Sequence, residues 1–216
     1  MEPFERSTVD RLLSTTRAVR HRLDLERPVE EADLRDCIRL ATYAPNASNA
    51  QRWRWLVVRD PVRKRDIARH YGAGLREPML ALLAERRAQG DAAGVRHSEA
   101  ILQLADNLAH VPALVIPCFQ GEVAAEQRYV DIATLFASIL PAVWSFQLAL
   151  HSRGLASTFT TAHLVEADEV ARRLGIPEGW LQACLIPVAH LEGPALQPPK
   201  RRPVEEIIAW DEWPAT

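Results

Sequence analysis

The stretch Ile132-Ala133-Thr134-Leu135-Phe136-Ala137-Ser138-Ile139-Leu140-Pro141-Ala142-Val143-Trp144-Ser145-Phe146-Gln147-Leu148-Ala149-Leu150 runs for 19 residues without a formal charge. That approaches the ~20 residues needed to cross a bilayer. Ser138, Pro141, Ser145 and Gln147 interrupt its apolarity, and it is the only such stretch in the chain. It reads as a helix buried in a core or at a subunit interface rather than as a membrane span.

Working outward from this helix, strands and helices follow each other irregularly. Downstream, Gly154 supplies a helix stop, Leu155 to Thr161 reads as a strand, Val165 to Leu174 as a helix and Gln182 to His190 as another strand. Upstream, Ala113 to Phe119 is a strand in which Pro117 points to an edge or a bulge. Residues 75–110 are helical with a glycine-containing break near 90–94. Asp60-Pro61 pairs an N-cap with proline at the first helical position. Trp53 to Arg59 is rich in aromatic and β-branched residues and reads as a strand. A helix from about Val29 to Ala44 carries Leu34, Cys37, Ile38 and Ala41 on one face and stops at Pro45. The first helix covers about residues 5–16, and a short last one follows the four prolines between Gly193 and Pro203. Unequal numbers of helices between strands exclude a regular βαβ array. They leave an α+β chain, read as one domain over residues 1–216, with one small central sheet and an extended C-terminal tail from about 193.

Composition narrows the function classes. The 216 residues carry 26 basic and 28 acidic side chains, a formal charge of -2, which excludes a highly basic nucleic-acid binder and an acidic disordered chain. All but two of the basic residues are arginine, Lys64 and Lys200 being the exceptions. Residues 1–70 hold 15 basic against 11 acidic residues, whereas residues 71–216 hold 11 against 17. An anionic ligand is therefore expected first at the N-terminal portion. Cys37, Cys118 and Cys184 are odd in number, lie far apart and form no C-x-x-C, the usage of free thiols in a reducing cytosol. The N-terminus lacks the basic-then-apolar pattern of a signal peptide, so a cytoplasmic location is expected.

The motifs of side-chain catalysis are missing. There is no Walker phosphate loop, no G-x-G-x-x-G, no H-E-x-x-H, no paired Cys/His set and no G-x-S-x-G. Gly72-Ala73-Gly74 lacks the third glycine and does not follow a strand. Weight shifts to an organic cofactor that carries the chemistry.

Four constellations remain, each with a plain alternative. Arg17 and Arg20, three apart at a helix end, suit a phosphate or a solvated surface. Pro45-Asn46-Ala47-Ser48-Asn49-Ala50-Gln51-Arg52-Trp53 is either a polar turn or a loop that hydrogen-bonds a flat heterocycle or a sugar-like chain. Ser138 to Ser145 fits core packing, while Leu155-Ala156-Ser157-Thr158-Phe159-Thr160-Thr161 is less readily explained by packing. Pro199-Lys200-Arg201-Arg202-Pro203 is a solvated linker or a second grip on the same phosphate.

Taken in order, these elements resemble the nitroreductase family of FMN-dependent oxidoreductases over about residues 12–213. Thr16-Arg17-Ala18-Val19-Arg20 is similar to the family's R-R-S-x-R, and Pro45 to Trp53 to its P-S-S-x-N-x-Q-P-W. Arg153-Gly154-Leu155 with Thr160-Thr161, Gly175-Ile176-Pro177-Glu178-Gly179, and Arg201-Arg202-Pro203-Val204-Glu205-Glu206 resemble its later motifs. Thr16, Ala18, Asn46, Ala47 and Arg52 depart from the pattern. At Thr16 and Ala18 the family's arginine and serine are missing, which implies either weaker FMN retention or compensation by Arg202 and backbone amides.

The resemblance implies a nitroreductase-like fold, a mostly antiparallel sheet surrounded by helices in an intertwined homodimer, with FMN at the subunit interface. Arg17, Ala18, Arg20 and Arg201 would hold the phosphate and ribityl chain. Pro45, Asn46, Ala47, Ser48 and Asn49 would come from the other subunit. Pro141 and Ala142 would flank the ring, and Thr160 and Thr161 would meet its polar edge. The implied activity is hydride transfer from NADH or NADPH through flavin N5 to a nitroaromatic, a quinone or a similar small acceptor, with no nucleic-acid or membrane partner and no metal. The alternative is a flavin-binding, flavin-sequestering or flavin-degrading relative without nitroreductase turnover.

Overall fold

The chain's computed structural model describes residues 4–123 and 126–213. Met1 to Pro3, part of the N-terminus read for a leader, lie outside the described residues.

Among the described residues, six helices and six strands follow one another: α1 (Arg6–Thr15), β1 (Leu23–Asp24), α2 (Glu31–Ala41), β2 (Trp53–Val58), α3 (Pro61–Ala88), α4 (Ala92–Asn107), β3 (Ala113–Gln120), α5 (Tyr129–His151), β4 (Leu155–Ser157), α6 (Ala167–Leu174), β5 (Trp180–Gln182) and β6 (Ile186–Leu191). The caps follow local chemistry. Asp60 accepts a hydrogen bond from the Arg63 N–H at 2.9 Å, and Pro61 stands at the first position of α3. Gly175 ends α6 in the left-handed region that glycine enters without a Cβ penalty. The last expected helix is a three-residue 3-10 turn, Val204–Glu206.

All strand pairs are antiparallel, and the main path runs β1-β6-β3-β2, with β4 on β6 and β5 on β3. Strand β3 is the central member, and Pro117 sits in its middle rather than at an edge. The register explains how a residue without an N–H is tolerated there. Gln120 donates to the Arg52 carbonyl, so even-numbered residues of β3 point their backbone groups at β2. Pro117 faces the other way, where the chain passes from β5 to β6. Its carbonyl accepts the Ala183 N–H at 2.8 Å, and no ladder donor is missing from the β2 side.

The strand β3 is buried on both faces and splits the core in two. Ala113 and Val115 face α2 and α5, where Leu34, Cys37, Ile139, Phe146 and Leu150 pack. Leu114, Ile116 and Cys118 face α3, α4 and α6, with Ile67, Tyr71, Leu104, Leu108 and Val170. The three cysteines are buried free thiols, and desolvation pushes Cys37 up to about 11 and Cys118 up to about 12.

The 23-residue α5 is long and apolar enough to cross a membrane by length and composition. One side of it packs on the sheet through fully buried Ile139, Phe146 and Leu150, with Phe146 tilted against Trp55 at 5.1 Å between ring centroids. The opposite side carries Val130, Leu140 and Trp144, which are 55%, 37% and 43% exposed. The helix is therefore apolar all round although only one side is covered within the chain.

Candidate functional site

α1 ends at Thr15, so Thr16 to Arg20 is not helical. The helical i,i+3 relation expected to hold Arg17 and Arg20 on one side does not apply, because the segment is instead pinned to the sheet. Val19 is buried and donates its N–H to the Ser157 carbonyl of β4 at 2.9 Å. Arg17 and Ala18 are exposed, and Arg17 has no side-chain partner among the described residues. Arg20 is half-buried, and burial lowers its pKa from the ordinary value, with Tyr71 acting in the opposite direction. It lines a cavity of about 470 Å³ together with Asp24, Glu26 and Glu192, yet none of these carboxylates pairs with it. His97 on α4 is also held below its usual value, first by burial and then by the nearby charges of Arg20 and Arg86. The cation at Arg20 is thus partly desolvated and unneutralised.

Tyr71 links Arg20 to the second constellation. Its hydroxyl lies 3.1 Å from Thr160 Oγ1, and the side chain is 1% exposed. Thr160 is fixed by two backbone bonds to Leu185, donating at 3.1 Å and accepting at 2.8 Å. Thr161 precedes the 3-10 turn Ala162–Glu166, and its carbonyl accepts the Leu164 N–H at 2.8 Å. That turn is clamped to α3 at both ends: Tyr71 holds Thr160, and the neighbouring His70 Nδ1 hydrogen-bonds Glu166. One helical turn further, Gly74 allows the close approach. A Cβ there would stand 2.6 Å from the Ala162 carbonyl oxygen and 2.8 Å from Val165 Cβ. Gly74→Ala gains about 1 kcal/mol of helix propensity but incurs an overpacking penalty of about 1–3 kcal/mol. The expected net result is a loss of about 1 kcal/mol, seen as a lower denaturant midpoint with an unchanged m-value.

The loop after α2 forms a separate region. Asn46 Oδ1 accepts the Gln51 N–H at 2.9 Å and its carbonyl accepts the Asn49 N–H at 3.1 Å. Ser48, Asn49 and Gln51 have φ values of 55°, 49° and 50°. Left-handed backbone at non-glycine residues is unfavourable and tends to collect at ligand-binding segments. The loop is docked on α5 by the Ala47 N–H, which donates to Ser138 Oγ at 3.1 Å. Asn46, Ala47, Ser48, Arg52, Leu135 and Ser138 contribute to an open cavity of about 240 Å³. Pro45 is exposed at the loop's start. Pro141, one turn beyond Ser138, is half-buried and leaves the Ala137 carbonyl without its helical donor, whereas Ala142 is fully buried.

The two regions stand apart on α5. Thr15 Oγ1 meets His151 Nε2 at 2.8 Å, which sets the Arg17–Arg20 segment at the C-terminal end of the helix, while the loop contacts Ser138. These anchors are thirteen positions apart on α5, about 20 Å of helix. One chain therefore groups Arg20 with Thr160, and groups Asn46, Ala47 and Ser48 with the Ser138–Pro141 surface, but does not join the groups. Arg201 joins neither: it is exposed in the tail and donates to the Lys200 carbonyl at 3.5 Å. The tail's start is held by Arg22, which donates to the carbonyls of Glu192 and Pro194. Sequence reasoning missed Tyr71. The available signal was its place just before Gly72-Ala73-Gly74, small residues that mark close approach on a helix rather than an incomplete dinucleotide motif.

The fold and the two separate regions define a class: an α+β protein with an all-antiparallel sheet, a long apolar central helix, and polar groups gathered at two places along it. Residues 13–190 match the Nitroreductase family, and the chain belongs to that family of oxidoreductases. Among curated relatives, an NADH dehydrogenase of Thermus thermophilus is 29% identical over 202 residues, 85% of this chain and 87% of that protein. Among solved structures, a BluB-like flavoprotein from Clostridium difficile superposes with a TM-score of 0.69 at 18% identity, covering 97% of this chain and all of that one. The FMN and NADPH-dependent nitroreductase NfnB of Sphigopyxis gives 0.65 at 18% identity, covering 94% and 99% of the two chains.

Proposed function

We propose that the chain is a cytoplasmic, homodimeric FMN-dependent oxidoreductase, with residues 1–216 forming one flavin-binding domain that ends in an extended tail. The observation that carries this reading is the half-buried, unneutralised guanidinium of Arg20 beside the Tyr71–Thr160 pair. A set of donors with no competing carboxylate in ion-pair contact fits an electron-rich ligand, and the strained loop at Ser48 and Asn49 supplies backbone groups for its far end. When bound, FMN would supply the redox chemistry, hydride transfer through N5 between NADH or NADPH and a nitroaromatic, a quinone or a similar small acceptor.

The protein's own residues bind and orient. The Thr160–Thr161 segment would meet the polar edge of the ring, where negative charge accumulates on reduction. Arg17, Ala18 and Arg20, with Arg201, would hold the phosphate and ribityl chain. Pro45, Asn46, Ala47, Ser48 and Asn49, with Pro141 and Ala142, belong to the half-site that a second copy brings opposite Arg20. The uncovered Val130, Leu140 and Trp144 side of α5 supports such an association. Exclusion of water by the assembled walls strengthens each of these contacts.

Purified protein titrated with FMN is expected to retain it, show flavin absorbance and oxidise NADH or NADPH when a nitroaromatic or quinone is added. A colourless protein that never takes up FMN sinks the reading. Retained FMN without acceptor turnover favours instead the flavin-binding relative, which Thr16 and Ala18 at the phosphate motif also favour.

A further inference from the structure

Tyr71 is a buried polar group to which the reading above gives no role of its own. It lies in α3, its ring packs in the core on the α3–α4 side of the sheet, and its hydroxyl has one partner among the described residues, Thr160 Oγ1. The proton count of this pair is determined by its surroundings. Two hydroxyls share two protons, and the bond between them uses one. If Thr160 donated, the Tyr71 proton would be left buried without an acceptor, a loss of the full desolvation penalty. The Arg20 cation near Tyr71 acts in the same sense, since it favours the phenol oxygen's lone pairs on its own side and the proton on the other. Tyr71 therefore donates, Thr160 accepts, and the half-buried Thr160 hydroxyl is left as an outward donor.

The arrangement is rigid at each joint. Thr160 is bonded through its backbone N–H and carbonyl to Leu185. The helix that carries Tyr71 is held to the following turn by the His70–Glu166 bond and the close approach at Gly74. Arg20, His97 and Arg86 are the cations of this region, and although Asp24, Glu26 and Glu192 line the Arg20 cavity, no carboxylate among the described residues pairs with Arg20.

We infer that Tyr71 is a positioning residue of the flavin site, whose buried hydroxyl turns Thr160 into a fixed donor and so favours the electron-rich, reduced state of the bound ring. This rests on the FMN reading given above. A donor aimed before the charge develops needs no reorganisation when it arrives, which makes the effect larger for reduced than for oxidised flavin. Tyr71→Phe keeps the ring and removes only the hydroxyl. In the FMN-loaded protein it is expected to lower the ratio of reduced to oxidised flavin affinity about tenfold, a fall of about 30 mV in the two-electron midpoint potential. With Thr160→Val already in place, Tyr71→Phe should add no further shift, because the effect runs through Thr160. Thr160→Ser, which keeps the hydroxyl, should hold the parent potential. Spectroelectrochemical titration of the four proteins against wild type reads all of this. An unchanged potential in Tyr71→Phe, or the same shift with and without the Thr160 hydroxyl, overturns the inference while the FMN reading stands. Wild-type protein that binds no FMN overturns both.

Discussion

Arg20→Ala is expected to weaken FMN binding by about 1.5–3 kcal/mol, the scale of a hydrogen bond to a charged group, or about 10- to 150-fold in Kd. The folded protein already carries the burial cost of this cation. Arg20 is half-buried, its pKa is lowered by desolvation, and no carboxylate among the described residues offsets the charge. Removing it should leave the ligand-free protein as stable as before or slightly more stable, since an unpaired, partly desolvated charge disappears. Affinity and stability should thus move in opposite directions, which a purely structural arginine would not produce. Arg20→Lys keeps the charge but loses the planar fork and should fall between the two. Fluorescence titration of FMN together with thermal melts of the ligand-free variants gives both readouts. Parent-like affinity in Arg20→Ala would place the phosphate and ribityl chain elsewhere.

The architecture is legible in the sequence wherever one local pattern dominates. The uncharged Ile132–Leu150 stretch is the core of α5, the Asp60-Pro61 start and the Gly154 stop fall where capping chemistry sets them, and the break near 90–94 separates α3 from α4. Non-local facts are not legible. Pro117 suggests an edge because a sequence does not tell which neighbour a missing N–H faces, and here it faces the gap between β5 and β6. The spacing of Arg17 and Arg20 suggests a helical pair, but the end of α1 at Thr15 depends on Val19 bonding to Ser157, some 140 positions away. Tyr71 carries no motif, since its role is defined by Thr160 across the fold.

The division of donors between two regions of α5 has no sequence signature either. It emerges only when Thr15 is seen on His151 and Ala47 on Ser138. A half-buried cation at one region and strained backbone at the other are what the proposed second copy would bring together, with the bare side of α5 as its surface.

Acid sensitivity provides the second large effect. His163 follows Thr160–Thr161 in the clamped turn, is fully buried, and has no hydrogen-bond partner for either ring nitrogen among the described residues. Burial lowers its pKa to about 4 from an ordinary value of 6.5. In the unfolded chain the imidazole takes a proton as pH falls through 6.5, whereas in the folded protein it stays neutral until about pH 4. Above pH 6.5 the group costs nothing in proton linkage. Between 6.5 and 4 the unfolded state binds more protons, and stability falls by up to about 3 kcal/mol. His151 and His97, also lowered mainly by burial, act in the same direction. His163→Phe removes both the titration and the two unpaired nitrogens, so the difference in unfolding free energy between pH 7 and pH 4.5 should shrink by about 2–3 kcal/mol. Urea unfolding of wild type and variant at the two pH values measures that difference. Equal pH dependence in the two proteins would mean that His163 reaches water and shares no part in the acid weakness. A smaller dependence in the variant would locate it in the turn that carries Thr160 and Thr161, and that turn should then loosen before the sheet does.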